Sequence, residues 1–142
     1  MGQLDGKVAF ITAAGGAISG ATARLFSKEG AAVCCIDILE RNVKETANDI
    51  NEGGGNSIAL VCDVTDDKAV ADAVEKTVKE FGKLDVCFNA AAYSENRHRL
   101  AEMPLEMWKN VIDVNLTGMF IVARNVIPKM QSTGGGSIIN VS

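Results

Sequence analysis

The chain has a single histidine, a single tryptophan and a single tyrosine, and its four cysteines include no Cys-x-x-Cys pair and no Cys/His spacing that would hold a metal. Cys34, Cys35, Cys62 and Cys87 all fall within apolar runs and read as reduced core thiols, with no metal site expected. Positive charge is also short: 14 Lys and Arg stand against 18 Asp and Glu, a net charge of −4. This balance argues against nucleic acid or an anionic membrane as a partner, since either would reward a basic face. His98, between Arg97 and Arg99, makes a small basic spot and reads as a solvated loop residue, not an acid–base group. The N-terminal stretch Met1-Gly-Gln-Leu-Asp-Gly6 lacks the apolar core of a signal peptide, and no apolar run approaches membrane-spanning length. Gly2 lacks the Ser or Thr that an acylation site needs. The expected location is cytoplasmic.

What is present is an ordinary globular composition: 142 residues, 47% apolar and 23% charged, enough for one domain with a real core. Short apolar runs rich in Val, Ile and Cys predict strands at Val8–Thr12, Ala32–Ile36, Ser57–Cys62, Val86–Asn89 and Ser137–Val141. Amphipathic patterns predict helices at Ala17–Glu29, Glu40–Glu52, Asp66–Phe81 and Glu102–Gln131, the last broken near Pro104. Gly30, Gly53–Gly55 and Gly82 follow helices as left-handed caps, and Thr65-Asp-Asp-Lys68 reads as an N-cap. Strict alternation with short connections implies an α/β fold, a doubly wound parallel sheet with helices on both faces. The order of the strands in the sheet does not follow from the pattern.

Three features carry chemistry. Thr12-Ala-Ala-Gly-Gly-Ala-Ile-Ser-Gly20 joins the first strand to the first helix, where backbone N–H groups and the helix dipole can hold a phosphate. Gly15 and Gly16 supply backbone freedom there, whereas Ala13, Ala17 and Ser19 add side-chain bulk. Asp37 closes the second strand, 18 residues after Ser19, where a carboxylate can accept hydrogen bonds from an adenosine ribose. Its alternative role is to cap the helix that starts near Leu39. Neither position 36 nor position 38 is basic, which favours NAD over NADP. Asn115 lies within an apolar helical stripe with Trp108, Val111, Ile112, Met119, Val122 and Val126, so its amide must find internal partners. Trp108 reads as core or helix-interface packing. Tyr93, with Arg97 four residues on, begins a polar loop above the carboxyl ends of the strands and reads as a residue that contacts substrate without doing chemistry.

The chain resembles the short-chain dehydrogenase/reductase family along its whole length. The family's Thr-Gly-x-x-x-Gly-Ile-Gly loop aligns with Thr12 to Ser19, keeping Thr12 and Ile18 and replacing all three glycines. Asp37 falls on the NAD-selecting acidic position, and Cys62-Asp63-Val64-Thr65 on the strand end whose Asp and apolar residue contact adenine. Leu84-Asp-Val-Cys-Phe-Asn-Ala-Ala-Ala92 matches the Asn-Asn-Ala-Gly segment, keeping Asn89 and Ala91, with Ala90 and Ala92 as departures. Asp113-Val-Asn-Leu-Thr-Gly118 matches the segment bearing the catalytic-site Asn, at Asn115, and Gly136-Ser-Ile-Ile-Asn-Val-Ser142 the strand that leads to the catalytic Ser.

The resemblance implies hydride transfer between NAD(H) and a secondary alcohol or ketone in the full-length form. It implies cofactor contacts from Thr12, Gly15, Gly16, Ala17, Ile18, Asp37, Asp63, Val64, Asn89, Ala90 and Ala91. Asn115 would hold a water of a proton relay by bending its helix. The family's Tyr-x-x-x-Lys pair, in which the ammonium favours the phenolate, would follow Ser142, so residues 1–142 are expected to be a partial NAD(P)-binding domain, inactive alone. A homo-oligomer packed through the helix around 102–131 is expected, with a small-molecule substrate. The alternative is a degenerate, non-catalytic nucleotide-binding or oligomerising module, motivated by Ala13, Ala17, Ser19, Ala90 and Ala92.

Overall fold

Residues 2–94 and 98–142 are described by the structure, a computed structural model. Arg97, part of the basic spot and of the argument about Tyr93, lies outside the described residues. Five parallel strands, β1 (Val8–Ile11), β2 (Ala32–Asp37), β3 (Asn56–Val61), β4 (Val86–Asn89) and β5 (Ser137–Asn140), form one sheet in the order β3-β2-β1-β4-β5. Each boundary lies within about two residues of the sequence expectation. The register pairs Val8 with Ala32, Ala9 with Val86, and Val86 with Ser137. After β3 the chain crosses back over β1, so the connections leaving β1 and β4 depart to opposite faces. A crevice opens between their carboxyl ends, the place where open α/β sheets hold ligands.

Side chains alternate across the sheet and build a core on each face. Val8, Phe10, Cys34, Ile36 and Cys87 pack against α3 (Asp67–Phe81) through Val70 and Val74, and against α5 (Met119–Ser132) through Val122 and Val126. On the opposite face Ile11, Val33, Cys35 and Phe88 meet α1 (Ala17–Lys28) and α2 (Glu40–Glu52), with Phe26 edge-on to Phe88 at 6.3 Å between ring centroids. Each of these buried aliphatic or aromatic side chains contributes about 1.5–3 kcal/mol of apolar transfer. The four cysteines are free and buried, as their apolar surroundings require. Burial pushes the thiols of Cys34, Cys35 and Cys87 up to about 12 and that of Cys62 to about 11, so none is a nucleophile at neutral pH.

The caps follow the glycines in part. Gly30 and Gly82 adopt φ of 97° and 83°, a backbone state in which a side chain would be strained. The cap of α3 is Asp66, which accepts the Ala69 N–H at 3.0 Å, and not Thr65. An Asx turn diverts Thr65 to Asp63. The fourth helical stretch starts later than its pattern suggests. A 3₁₀ turn at Leu100–Glu102 precedes Pro104, which cannot continue a helix backwards, and α4 runs from Leu105 to Ile112. A π-helical segment, Asp113–Gly118, joins α4 to α5. The resulting helix, Leu105–Ser132, is long and apolar enough to cross a bilayer, contrary to the expectation that no run approaches that length. Here its apolar face at Ile121, Val122, Val126 and Met130 covers the sheet. Trp108 is not in the core: it is half exposed beside Leu100, Met103 and Leu105.

At the opposite end of the sheet Asp85 ties β1 to β4. Its carboxylate accepts the Val8 N–H at 2.9 Å and pairs with Lys83 at 3.0 Å and Lys7 at 3.6 Å. Burial pushes this carboxyl up, but the Val8 N–H and the two ammonium groups together hold it below the usual 3.8. A depressed folded-state value stabilises the fold above the unfolded value and is lost as pH falls through the folded one. Asp85→Asn should therefore cost about 1–2 kcal/mol near pH 7. Denaturant titrations of both proteins across pH 2–7 should show the gap closing below about pH 4; a gap independent of pH would contradict the ion-pair assignment.

Candidate functional site

The turn after β1 is held from three sides. Thr12, fully buried, donates its N–H to Phe88 O at 3.0 Å, and its Oγ1 accepts the N–H groups of Ala90 and Ala91 at 2.8 and 2.9 Å. One hydroxyl thereby fixes the exit of β4 against the exit of β1. Ala14 donates to Ile36 O at 2.9 Å and its carbonyl accepts the buried Thr46 hydroxyl at 2.8 Å. Gly15 donates to Asp37 Oδ2 at 2.9 Å. A Cβ on Gly15 would stand 2.6 Å from Asn42 Cβ, so only glycine fits.

The three alanine and serine positions differ in consequence. Ala13 sits at φ 53°, the left-handed region, at a cost of about 1–2 kcal/mol for a residue with a side chain. Ala17 is exposed at the first turn of α1, and Ser19 is buried between α1 and the sheet, where its hydroxymethyl group is accommodated. Gly16 caps α1 without a side chain, and no acidic residue lies in the first turn. The leading N–H groups of α1 thus face the crevice with the positive end of the helix dipole behind them.

Asp37 is held by backbone N–H groups on both of its oxygens, and it does not cap α2, whose N-cap is Leu39 without a side-chain hydrogen bond. Its Oδ1 accepts the Leu39 N–H at 2.9 Å, forming the turn into α2, while Oδ2 holds Gly15. It stands on the rim of a cleft of about 290 Å³ lined with Ala13, Cys62, Val64, Ala91 and Tyr93, with Asp63 on the same lining. Asp63 Oδ1 is oriented by the Thr65 N–H and hydroxyl at 2.9 and 2.8 Å. Val64 is pressed against Gly118, where an added Cβ would lie 2.7 Å from Val64 Cγ2.

Two asparagines tie the cleft to the long helix. Asn89, 1% exposed, donates from Nδ2 to Met119 O at 3.0 Å and to Asn140 Oδ1 at 3.3 Å. Asn115, inside the π-helical segment, accepts the Tyr93 N–H at 2.7 Å and donates to Tyr93 O at 3.0 Å. The half-buried amide finds its partners in a loop backbone, and the helix departs from α geometry around it.

The structure thus gathers Thr12, Gly15, Gly16, Ala17, Asp37, Asp63, Val64, Asn89, Ala90, Ala91 and Asn115 around the carboxyl ends of β1, β2 and β4, with Ile18 exposed at the same loop. Tyr93 walls the cleft beside Asp63. Sequence reasoning missed Thr46, Arg24 and Arg41. Thr46 lies on the apolar face of α2 with Val43, Ala47 and Ile50, a polar interruption that could have been noticed. Arg24 and Arg41 line a separate cleft, about 470 Å³, together with Gly15, Gly16 and Ala17; no local pattern announces them.

An open parallel sheet with a reversal of strand order at β1 and β4, and a helix N-terminus aimed into that crevice, defines a Rossmann-like doubly wound domain. Within that class the chain belongs to the short-chain dehydrogenase family, whose model, described as short chain dehydrogenase, matches residues 7–142. It is similar to a 3-oxoacyl-(acyl-carrier-protein) reductase of Thermotoga maritima, 39% identical over 140 residues, which cover 99% of this chain and 56% of that protein. A cis-4-hydroxycyclohexanecarboxylate dehydrogenase of Sinomonas cyclohexanicum is 35% identical over 96% of this chain and 54% of its own length. Among solved structures, an NAD+-bound xylitol dehydrogenase superposes with a TM-score of 0.93 at 33% identity, covering 96% of this chain and 52% of that one. The chain therefore spans about half the length of the curated relatives it matches.

Two substitutions test the turn. Ala13→Gly relieves the left-handed strain but adds unfolded-state entropy, for a net gain of about 0.5–1 kcal/mol. Thr12→Val leaves two N–H groups without an acceptor and should cost at least about 2 kcal/mol, with Thr12→Ser recovering most of it. Chemical denaturation reads both, and a destabilised Ala13→Gly would show that the backbone there is not strained.

Proposed function

We propose that the chain is the cofactor-binding part of an NAD-dependent short-chain dehydrogenase that interconverts a secondary alcohol and a ketone in the full-length protein. The observation that carries this reading is Asp37, fixed by the Gly15 and Leu39 N–H groups on the rim of an adenosine-sized cleft beside the uncapped start of α1. Bound there, the nicotinamide would supply hydride acceptance and donation.

The residues present fit such a group. The N–H groups at Ala17 and Ile18 are suited to the pyrophosphate, while the Gly16 N–H closes the turn onto Ala13 O at 2.9 Å and Thr12 holds the loop in place. Asp37 would accept from the adenosine ribose, and Asp63 with Val64 would meet the adenine. Ala90 and Ala91, positioned by Thr12 and by Asn89 one residue earlier, would back the nicotinamide-side ribose. Asn115 would act through the Tyr93 backbone and the π-helical segment, whose wider turn would let a backbone carbonyl tilt toward a relay water. The xylitol dehydrogenase structure contains NAD+, and a 7α-hydroxysteroid dehydrogenase 30% identical to this chain is described with NADH and a 7-oxo bile acid conjugate; both are consistent with a nicotinamide cofactor here. The negative charge of Asp37 disfavours a 2′-phosphate and hence NADP. The reduced, buried thiols suit a cytoplasmic setting. Leu105, Trp108, Leu116 and Phe120 leave an exposed apolar face on the long helix that supports a homo-oligomer.

A second reading, a binding module without turnover, is favoured by the strained Ala13 and by the Ala17 methyl at the anion position. Calorimetry separates the two aspects. NAD+ should bind at least about tenfold more tightly than NADP+, and Asp37→Asn should narrow that preference. Restoring Ala13→Gly, Ala17→Gly and Ser19→Gly together should tighten NAD+ binding. Absence of NAD+ binding in both the chain and this triple variant would leave only the non-binding, oligomerising module.

A further inference from the structure

The cleft that carries the cofactor reading continues beyond its adenine end. Asp63, Tyr93 and Val114 line it, and the same three residues line an adjoining hollow of about 590 Å³. The far walls of that hollow come from two elements distant in sequence. Thr65 stands on the turn after β3, and Asn110, Asp113 and Thr117 stand on the first part of the long helix. These three helix residues are exposed, so the hollow is reached from solvent without any opening of the fold.

On the cofactor reading, on which this inference rests, an adenine fills the first cleft with Asp63 at its edge. A carboxylate only accepts hydrogen bonds. Thr65 occupies Asp63 Oδ1 with its N–H and hydroxyl, and no other hydrogen bond reaches this carboxylate among the described residues. Oδ2 is left to the ligand. The exocyclic amine is the one N–H donor that the adenine of a nucleotide carries, so this amine is the group Oδ2 selects. The amine has two hydrogens, and Oδ2 needs one. A group in place of the second would leave the first cleft across the sill of Asp63, Tyr93 and Val114.

We propose that the site admits adenine dinucleotides carrying one short polar or cationic substituent on that amine, with the adjoining hollow as its seat. Thr65, Asn110 and Thr117 supply hydroxyl and amide groups, Asp63 and Asp113 supply negative charge, and among the described residues no basic side chain lines the hollow. An ammonium group meets complementary charge there, whereas an alkyl chain finds apolar surface only at Val114 and Tyr93. The hollow is too open to hold a free amine by charge alone, so binding depends on the dinucleotide that delivers the substituent. A doubly substituted amine has no N–H left for Oδ2. One substituent is therefore admitted and two are not.

Calorimetry on this chain compares NAD+, NAD+ bearing one aminoethyl group on the adenine amine, and NAD+ with that amine dimethylated. The aminoethyl form should bind within about threefold of NAD+ or more tightly, and the dimethyl form at least about tenfold more weakly than NAD+. Asn110→Trp, an exposed change on α4, should fill the hollow, weakening the aminoethyl form at least about fivefold and leaving NAD+ within about twofold. A greater loss with the aminoethyl group, a smaller loss with dimethylation, or an Asn110→Trp effect equal for NAD+ and the aminoethyl form would each overturn the proposal. Any of these results beside normal binding of NAD+ leaves the cofactor reading intact, whereas no binding of NAD+ removes that reading and this one with it.

Discussion

The Thr12 hydroxyl oxygen accepts the N–H groups of Ala90 and Ala91 at once, and the site depends on that contact. A parallel sheet whose strand order reverses between β1 and β4 splits open at their carboxyl ends. Without a cross-link there, two loops leaving in opposite directions would be free to move apart. A single buried oxygen with two lone pairs closes this gap from the β1 side. Ala14 bonded to Ile36, and Gly15 bonded to Asp37, close the β2 side. The loop is consequently rigid before any ligand arrives, and the amides of α1 start in position.

This bracing explains why the loop keeps its shape after losing the family's glycines. Ala13 is held at positive φ by bonds on both sides of it, and about 1–2 kcal/mol of strain is small beside several hydrogen bonds. Ser19 stands at the family's third glycine position, on the buried side of α1, where the fold accommodates its hydroxymethyl group. Gly15 has no such tolerance, because Asn42 Cβ and Asp37 Oδ2 stand too close for an added Cβ.

The long helix is coupled to the same region by two amides of different placement. Asn89 bonds from the sheet to Met119 O, just after the π-helical segment, and Asn115 bonds from that segment back to Tyr93. The wide turn between them is thus anchored on both sides. Gly118 allows Val64 to press into it, so the floor of the cleft, the loop at Tyr93 and the helix share one set of contacts.

The alternation of short Val/Ile/Cys runs with amphipathic stretches determined the elements, the parallel direction and the placement of Thr12, Gly15, Asp37 and Asn115 at element ends. These are local properties: side-chain period, backbone freedom and cap chemistry act over a few residues. The strand order, the two cores and the partners of Asn115 and Thr12 were settled only in three dimensions. Trp108 illustrates the limit, since a helical stripe shows that residues share a face but not whether that face meets the sheet or solvent. Thr46 and Arg41 illustrate it again: Thr46 meets Ala14 across 32 residues, and Arg41 shares a cleft with Gly15 through the packing of α2 on α1. Such contacts depend on how the crossovers return over the sheet, a constraint that no window of sequence contains.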